Sequence, residues 1–238
     1  MSARIGHVVV TCEHATNRVP PELSSVFRAH RALLKTHRGW DIGALGVAER
    51  VAAGLASPLF VGEVSRLVIE LNRSPGSASL FSVATRELDD DVKRGLVERY
   101  YTPWRGAVRK HVELAFRAQR GAVVHVSAHS FTPELDGKER SVEIGLLFDP
   151  SRAGEKTVCE RWREAIVRDH DAAGMRVRMN LPYRGTSDGH TTALRRVFPA
   201  SRYVGIEVEV RNDLIARERG QERVGEMLAR TLRSVMSG

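Results

Sequence analysis

Short runs of β-branched residues that stop abruptly in ionisable side chains restrict this chain more than any other feature. His7-Val8-Val9-Val10-Thr11-Cys12 has the length and composition of a buried strand, and it ends at Glu13-His14-Ala15-Thr16-Asn17, followed by Pro20-Pro21. The same pattern predicts a strand over 65–71, broken by Asn72-Arg73-Ser74-Pro75-Gly76. It predicts another over 122–128, which gives way to His129-Ser130-Phe131-Thr132-Pro133. Further strands are expected over 142–148 and 203–210. In an open α/β sheet, ligands bind at the carboxyl ends of the strands, so polar residues gathered there would converge on one cleft.

Helical periodicity fills the intervals. Helices are expected over 42–56, 155–170 and 218–236, the last with Val224, Met227, Leu228, Leu232 and Val235 on one face. The stretch 89–120 carries an apolar residue about every four positions, from Val92 to Phe116, and Pro103 should kink or divide it. Strands alternating with helices predict a mostly parallel central sheet with helices on both faces. At 238 residues the chain lies between one and two domains of about 150 residues. No segment reads as a linker, so residues 1–238 are expected to form one α/β domain.

Composition excludes several classes. With 42% apolar and 28% charged residues the chain is not disordered. No apolar run approaches the roughly 18 residues of a membrane helix. Met1-Ser2-Ala3-Arg4 leads into the first strand without a leader-like layout, and two cysteines, Cys12 and Cys159, make no disulfide scaffold. A cytoplasmic location is the expectation. The formal charge of +8 comes from scattered arginines interleaved with acids, as at Arg161-Trp162-Arg163-Glu164. That describes a solvated surface, or a field that draws in a small anion, better than a nucleic-acid footprint.

The residue types at the strand ends suit hydrolysis. Two histidines and a carboxylate with an open fourth position make a catalytic zinc site, which brings the pKa of a bound water to about 7. A further carboxylate can shuttle the proton, an arginine can stabilise an oxyanion, and an Arg–Asn pair can hold a substrate carboxylate. No local signature such as His-Glu-x-x-His is present, so spacing alone does not establish a metal. Cys12, beside Glu13 and His14, offers a second reading as a thiolate nucleophile without metal, although direct neighbours on a strand diverge. A third reading is an Arg-rich polyanion- or nucleic-acid-binding protein, for which the strand-end histidines and acids have no use.

A set of ordered blocks carries a family resemblance. Thr11-Cys12-Glu13-His14-Ala15-Thr16-Asn17-Arg18-Val19-Pro20 resembles the opening signature of the N-formylglutamate amidohydrolases. His37-Arg38-Gly39-Trp40-Asp41-Ile42-Gly43-Ala44 is similar to the family's Asp-x-Gly-Ala segment, and Ser65-Arg66-Leu67-Val68-Ile69-Glu70-Leu71-Asn72-Arg73 to its Ser-Arg-Leu…Asp-Leu-Asn-Arg block. The His129–Pro133 turn, Asn180-Leu181-Pro182-Tyr183, Asp188-Gly189-His190 and Glu209-Val210-Arg211-Asn212-Asp213-Leu214-Ile215 resemble later blocks. Together they span roughly residues 8–215.

The resemblance implies a fold like that of the zinc carboxypeptidases and aspartoacylase, and hydrolysis of the N-acyl amide of an acyl amino acid such as N-formylglutamate. It implies one zinc per chain, or another first-row divalent ion that suits the same donors. His14 and His129 are the implied histidine ligands. Asp41 is the implied acidic ligand, with Glu13 as the alternative. Glu209 would act as general base and Arg66 would polarise the carbonyl. Asn72 and Arg73 would clamp the substrate carboxylate, with Arg211 and His190 as further substrate contacts. For Glu209 the plainer reading is an ion pair with Arg211, which strand alternation places on the same face. Glu70 stands where the family has Asp; its carboxylate sits about 1.5 Å further out and is not expected to be a rigid ligand. His125 lies on the same strand face as His129 but ~13 Å away, too far for one mononuclear site. The expected partner is a small anionic N-acyl amino acid, with no nucleic acid and no membrane, and the chain is expected as a monomer or small homo-oligomer.

Overall fold

The computed structural model describes residues 5–237. Met1–Arg4, read above as lacking a leader, lie outside the described residues. The strands are β1 (Ile5–Cys12), β2 (Leu59–Val61), β3 (Ala122–Phe131), β4 (Glu134–Leu135), β5 (Lys138–Glu139), β6 (Ile144–Leu147), β7 (Val177–Met179) and β8 (Tyr203–Arg211). The helices are α1 (Arg31–Leu34), α2 (Ala44–Gly54), α3 (Asp90–Leu96), α4 (Thr102–Ala118), α5 (Ala153–Arg168), α6 (His190–Val197) and α7 (Glu218–Ser237).

One six-stranded sheet runs in the order β2-β1-β3-β8-β6-β7. β2, β1, β3 and β8 are parallel; β6 lies antiparallel to β8, and β7 parallel to β6. The reversal has a simple cause. The chain passes from β3 to β6 through the β4–β5 hairpin, with no helix to carry it back for another parallel strand.

Strand alternation sends side chains to two cores. Val8 and Val10 of β1, Val124 and Val126 of β3, and Ile206 and Val208 of β8 pack under α2, α5 and α7. Val9, Val123 and Tyr203 face α4 and α6 with Val108, Val112 and Leu194. Helices therefore cover both faces, as the alternation of elements predicts. On the α4–α6 side, the apolar packing is confined to the amino-terminal half of the strands, and polar residues take over towards their carboxyl ends.

The expected strand over 65–71 does not form. The segment is a run of turns: the Val68 N–H donates to the Ser65 carbonyl, the Ser65 hydroxyl accepts from the Leu67 N–H, and the Glu70 N–H donates to the Leu80 carbonyl. Its apolar residues fill a third core, where Leu67, Val68, Ile69 and Leu71 meet Leu23, Phe27 and Leu96. A short apolar run signals burial without choosing the backbone, and here local side-chain bonds compete with a ladder. The helix over 89–120 divides as Pro103 requires. α3 runs into a π-helical stretch, Val97–Tyr101, and α4 restarts with Pro103 in its first turn.

Candidate metal centre and active-site pocket

The site follows from the period of two in β3 and β8. Val124, Val126 and Ala128 enter the main core, so His125, Ser127 and His129 emerge on the opposite face. The register sets Ser127 opposite Glu207 and His129 opposite Glu209, while Thr11 of β1 pairs with Ser127 on the other side. A polar ladder thus crosses three parallel strands, and Glu13 and His14 extend it where β1 ends.

Asp41 reaches this ladder from the loop before α2. Its N–H donates to the His14 carbonyl, and its Oδ2 accepts from the Ser130 N–H at 3.2 Å. Two residues on, Gly43 has φ +81°, and a Cβ there would overlap the Ile215 carbonyl. Only glycine lets the loop pass so close at that backbone angle.

His14, Asp41 and His129 come together as one buried group, with their ligand atoms within 4.8 Å of one another. Both imidazoles present Nδ1 to the same oxygen: Asp41 Oδ2 is 3.3 Å from His14 Nδ1 and 2.9 Å from His129 Nδ1. The other ring nitrogens face protein. His14 Nε2 contacts Glu70 Oε1, and His129 Nε2 lies 2.9 Å from Ser127 Oγ. Such bonds on the far nitrogen hold a ligating imidazole in orientation and tautomer. Two imidazoles and a carboxylate oriented in this way could hold a divalent ion and leave a coordination position open.

Glu70 ties this group to Arg66. The Arg66 guanidinium donates to Glu70 Oε2 from Nε at 2.8 Å and pairs with it from Nη2 at 2.7 Å; Nη1 donates to Asp41 Oδ1 at 3.3 Å. Of its five N–H groups, two remain for a ligand. The two oxygens of the Glu70 carboxylate thus bridge His14 and Arg66.

Electrostatics separate the carboxylates. Burial alone would raise the Asp41 pKa, but the histidines around it hold its carboxyl well below the ordinary range. Burial would lower the pKa of His129, yet its bond to Asp41 and the fields of Glu13, Asp41 and Glu209 raise it to about 10 in the metal-free chain. Glu209 behaves in the opposite way. Burial pushes its pKa up to about 7; His129 and Arg66 pull it down, while Asp41 and Glu207 add to the rise. Its Oε2 is buried without a donor among the described residues. A carboxyl poised near neutrality beside residues that could hold a metal has the acidity of a general base.

These groups line a cleft of about 240 Å³. His14, Asp41, Arg66, Asn72, Arg73, His129 and Glu209 all face it. Asn72 Oδ1 accepts from the His190 N–H at 2.6 Å, and its Nδ2 lies 3.5 Å from His129 Nε2. The Arg73 Nη1 donates to the Asn72 and Asp188 carbonyls. The cleft also contains residues given no role above: Tyr183, Arg184 and Asp188 from the 180–188 loop, and Glu207. Glu207 was legible, since alternation places it with Glu209; the loop residues gave no periodic signal. That loop crosses the sheet at Gly145, opposite Glu209, where a Cβ would overlap the Leu181 carbonyl.

Several expected residues lie elsewhere. His190 does not reach the cleft: it begins α6, is 1% exposed, and packs on Trp104 with ring centroids 4.9 Å apart. Arg211 turns away to Glu143 at 2.9 Å and Asp213 at 2.8 Å, so it neither pairs with Glu209 nor faces the cleft. At the end of β8 those acids lie closer than any substrate site. Glu13 sits behind His129, with Oε2 3.6 Å from His129 Nε2, on the side away from Asp41. Cys12 lies away from the cleft: its side chain enters the main core on the opposite face of β1, fully buried, and burial with nearby carboxylates raises its thiol pKa well above the usual range. Some of the scattered arginines meet acids, as Arg50 does Glu222 and Arg230 does Asp169.

Among functionally curated proteins the chain has no match. Among solved structures it is similar to a gene product of Agrobacterium tumefaciens, with a TM-score of 0.80 and 30% identity over 99% of this chain and 92% of that one. It also shares the fold of an N-formylglutamate amidohydrolase from Ralstonia eutropha JMP134, with a TM-score of 0.69 and 18% identity over 100% and 97% of the two chains. The family model for N-formylglutamate amidohydrolase matches residues 6–216, an interval that contains every residue lining the cleft. The chain belongs to the N-formylglutamate amidohydrolase family.

Proposed function

We propose that this protein is a zinc-dependent amidohydrolase that cleaves the N-acyl bond of a small anionic N-acyl amino acid, N-formylglutamate first among them. The observation that carries the reading is the convergence of His14 Nδ1, His129 Nδ1 and Asp41 Oδ2 beside a buried carboxyl of near-neutral pKa. His14, Asp41 and His129 would hold the ion, which, when bound, supplies Lewis-acid polarisation of the acyl group and the attacking water.

The chain's own residues do the rest. Glu209 takes a proton from the attacking water and later delivers it to the departing nitrogen. The two uncommitted N–H groups of Arg66 stabilise the oxyanion of the tetrahedral adduct. Arg73 lines the cleft and forms no ion pair among the described residues, and with the Asn72 amide it holds the substrate α-carboxylate. The products are a carboxylic acid and a free amino acid. The two cysteines are free and buried, which suits a reducing cytoplasm.

Elemental analysis of purified protein, followed by a screen of N-formyl, N-acetyl and longer N-acyl amino acids, tests the proposal. One zinc per chain and hydrolysis that a chelator abolishes are expected. Full turnover after complete removal of the metal would refute it.

A further inference from the structure

Behind the site, a second buried polar group joins Glu13, Thr11, Ser127, His125 and Tyr203. Its hydrogen positions follow from counting donors. The Glu13 carboxylate only accepts, and it is 1% exposed. Thr11 Oγ1 lies 3.0 Å from its Oε1, and Ser127 Oγ 2.9 Å from its Oε2. Each hydroxyl has a single hydrogen, and each must direct it at Glu13.

The remaining bonds are then fixed. Ser127 Oγ is also 2.9 Å from His129 Nε2 and has no hydrogen left, so the imidazole donates from Nε2. The Asn72 Nδ2, 3.5 Å from the same nitrogen, is too distant to compete. On the other arm, Thr11 Oγ1 lies 2.8 Å from His125 Nε2, so His125 donates there and accepts from the Tyr203 hydroxyl at 2.7 Å. Every hydrogen in the chain points towards Glu13. His190 stands beside this group, with its Nδ1 3.6 Å from Glu13 Oε1.

We infer that Glu13, acting through the Ser127 hydroxyl, is a positioning residue that locks His129 in the tautomer with Nε2–H and a free Nδ1 lone pair. It thereby sets the affinity of the His14–Asp41–His129 group for its ion. The inference rests on the proposed function. It assigns different duties to the two acidic candidates: Asp41 faces the ion, and Glu13 orients a ligand from behind, one hydroxyl removed. Glu70 contacts His14 Nε2 directly, so the two histidines are oriented by carboxylates at different reach.

Ser127→Ala and Glu13→Gln, singly and together, test this by titrating the zinc-loaded proteins with a chromophoric chelator. Each single change is expected to weaken zinc binding about 10- to 100-fold. The double variant is expected to bind no more weakly than the weaker single, because both changes break one chain. Nitrogen-15 spectra of the zinc-loaded wild type should show the His129 proton on Nε2. Affinities within about twofold of wild type, losses that multiply in the double variant, or a proton on Nδ1 would each overturn the inference. So would an affinity loss accompanied by unfolding of the metal-free variants. A wild-type protein that takes up no ion overturns the proposed function and this inference with it, whereas variants that bind as wild type overturn the inference alone.

Discussion

Replacing Glu209 by Gln removes a charge and keeps the shape, and the structure predicts opposite effects on activity and on stability. The wild-type carboxyl is 6% exposed, with Oε2 lacking a protein donor, and its pKa rises from 4.5 to about 7. A carboxyl with a raised folded-state pKa binds its proton more tightly in the native protein than in the unfolded chain. The stability it contributes is therefore complete below pH 4.5 and is lost as the pH climbs through 7. At about 1.36 kcal/mol per tenfold change in acidity, the metal-free wild type loses roughly 3 kcal/mol across that window through this group. The Gln variant has no such group. In metal-free protein, urea denaturation should show the variant more stable than wild type by up to about 3 kcal/mol at pH 8.5, with the advantage vanishing near pH 4. Turnover of the zinc-loaded variant should fall about 10²- to 10⁴-fold, the usual contribution of a general base. A variant destabilised equally at both pH values would show that burial does not strain the carboxyl, and one with normal turnover would show that it is not the base.

Other changes probe the surroundings of the site. Arg66→Ala leaves the buried Glu70 and Asp41 carboxylates without their guanidinium and should cost roughly 3–5 kcal/mol in thermal or urea unfolding, together with a loss of turnover. Gly43→Ala forces a side chain into a positive-φ position against the Ile215 carbonyl; it should destabilise by more than about 1 kcal/mol and weaken zinc retention by displacing Asp41. Iodoacetamide should leave the native enzyme active and Cys12 unmodified, because the thiol is fully buried on the core face; stoichiometric labelling with inactivation would revive the thiolate reading.

Much of the site was legible because strand alternation is a local rule. The run ending at His129 places Ser127 and His129 on one face wherever the sheet sits, and the same rule groups Glu207 with Glu209. The abrupt polar ends after Cys12 and Ala128 pointed to the sheet edge where the cleft lies. The 65–71 segment shows where such reading fails. Its apolar residues are buried, but in a satellite core reached through turns, and hydrophobicity does not distinguish a strand from a buried loop. His190 and Arg211 mislead for a related reason: their positions lie beside the cleft, and their side chains found nearer partners in Trp104, Glu143 and Asp213.

The family resemblance supplied Asp41 for the metal set; by itself the amino-acid sequence determined the α/β class, the polar edge and the division of the long helix near Pro103. All of these depend on contacts within a few residues along the chain, where backbone geometry dictates the outcome. Tertiary structure alone decided which nitrogen each imidazole shows to Asp41, that Glu70 bridges His14 to Arg66, that Glu13 stands behind His129, and that Glu209 is left without a donor. Those outcomes turn on ångström-scale distances between segments far apart in the chain. Desolvation and hydrogen-bond direction depend on those distances, and no local periodicity encodes them.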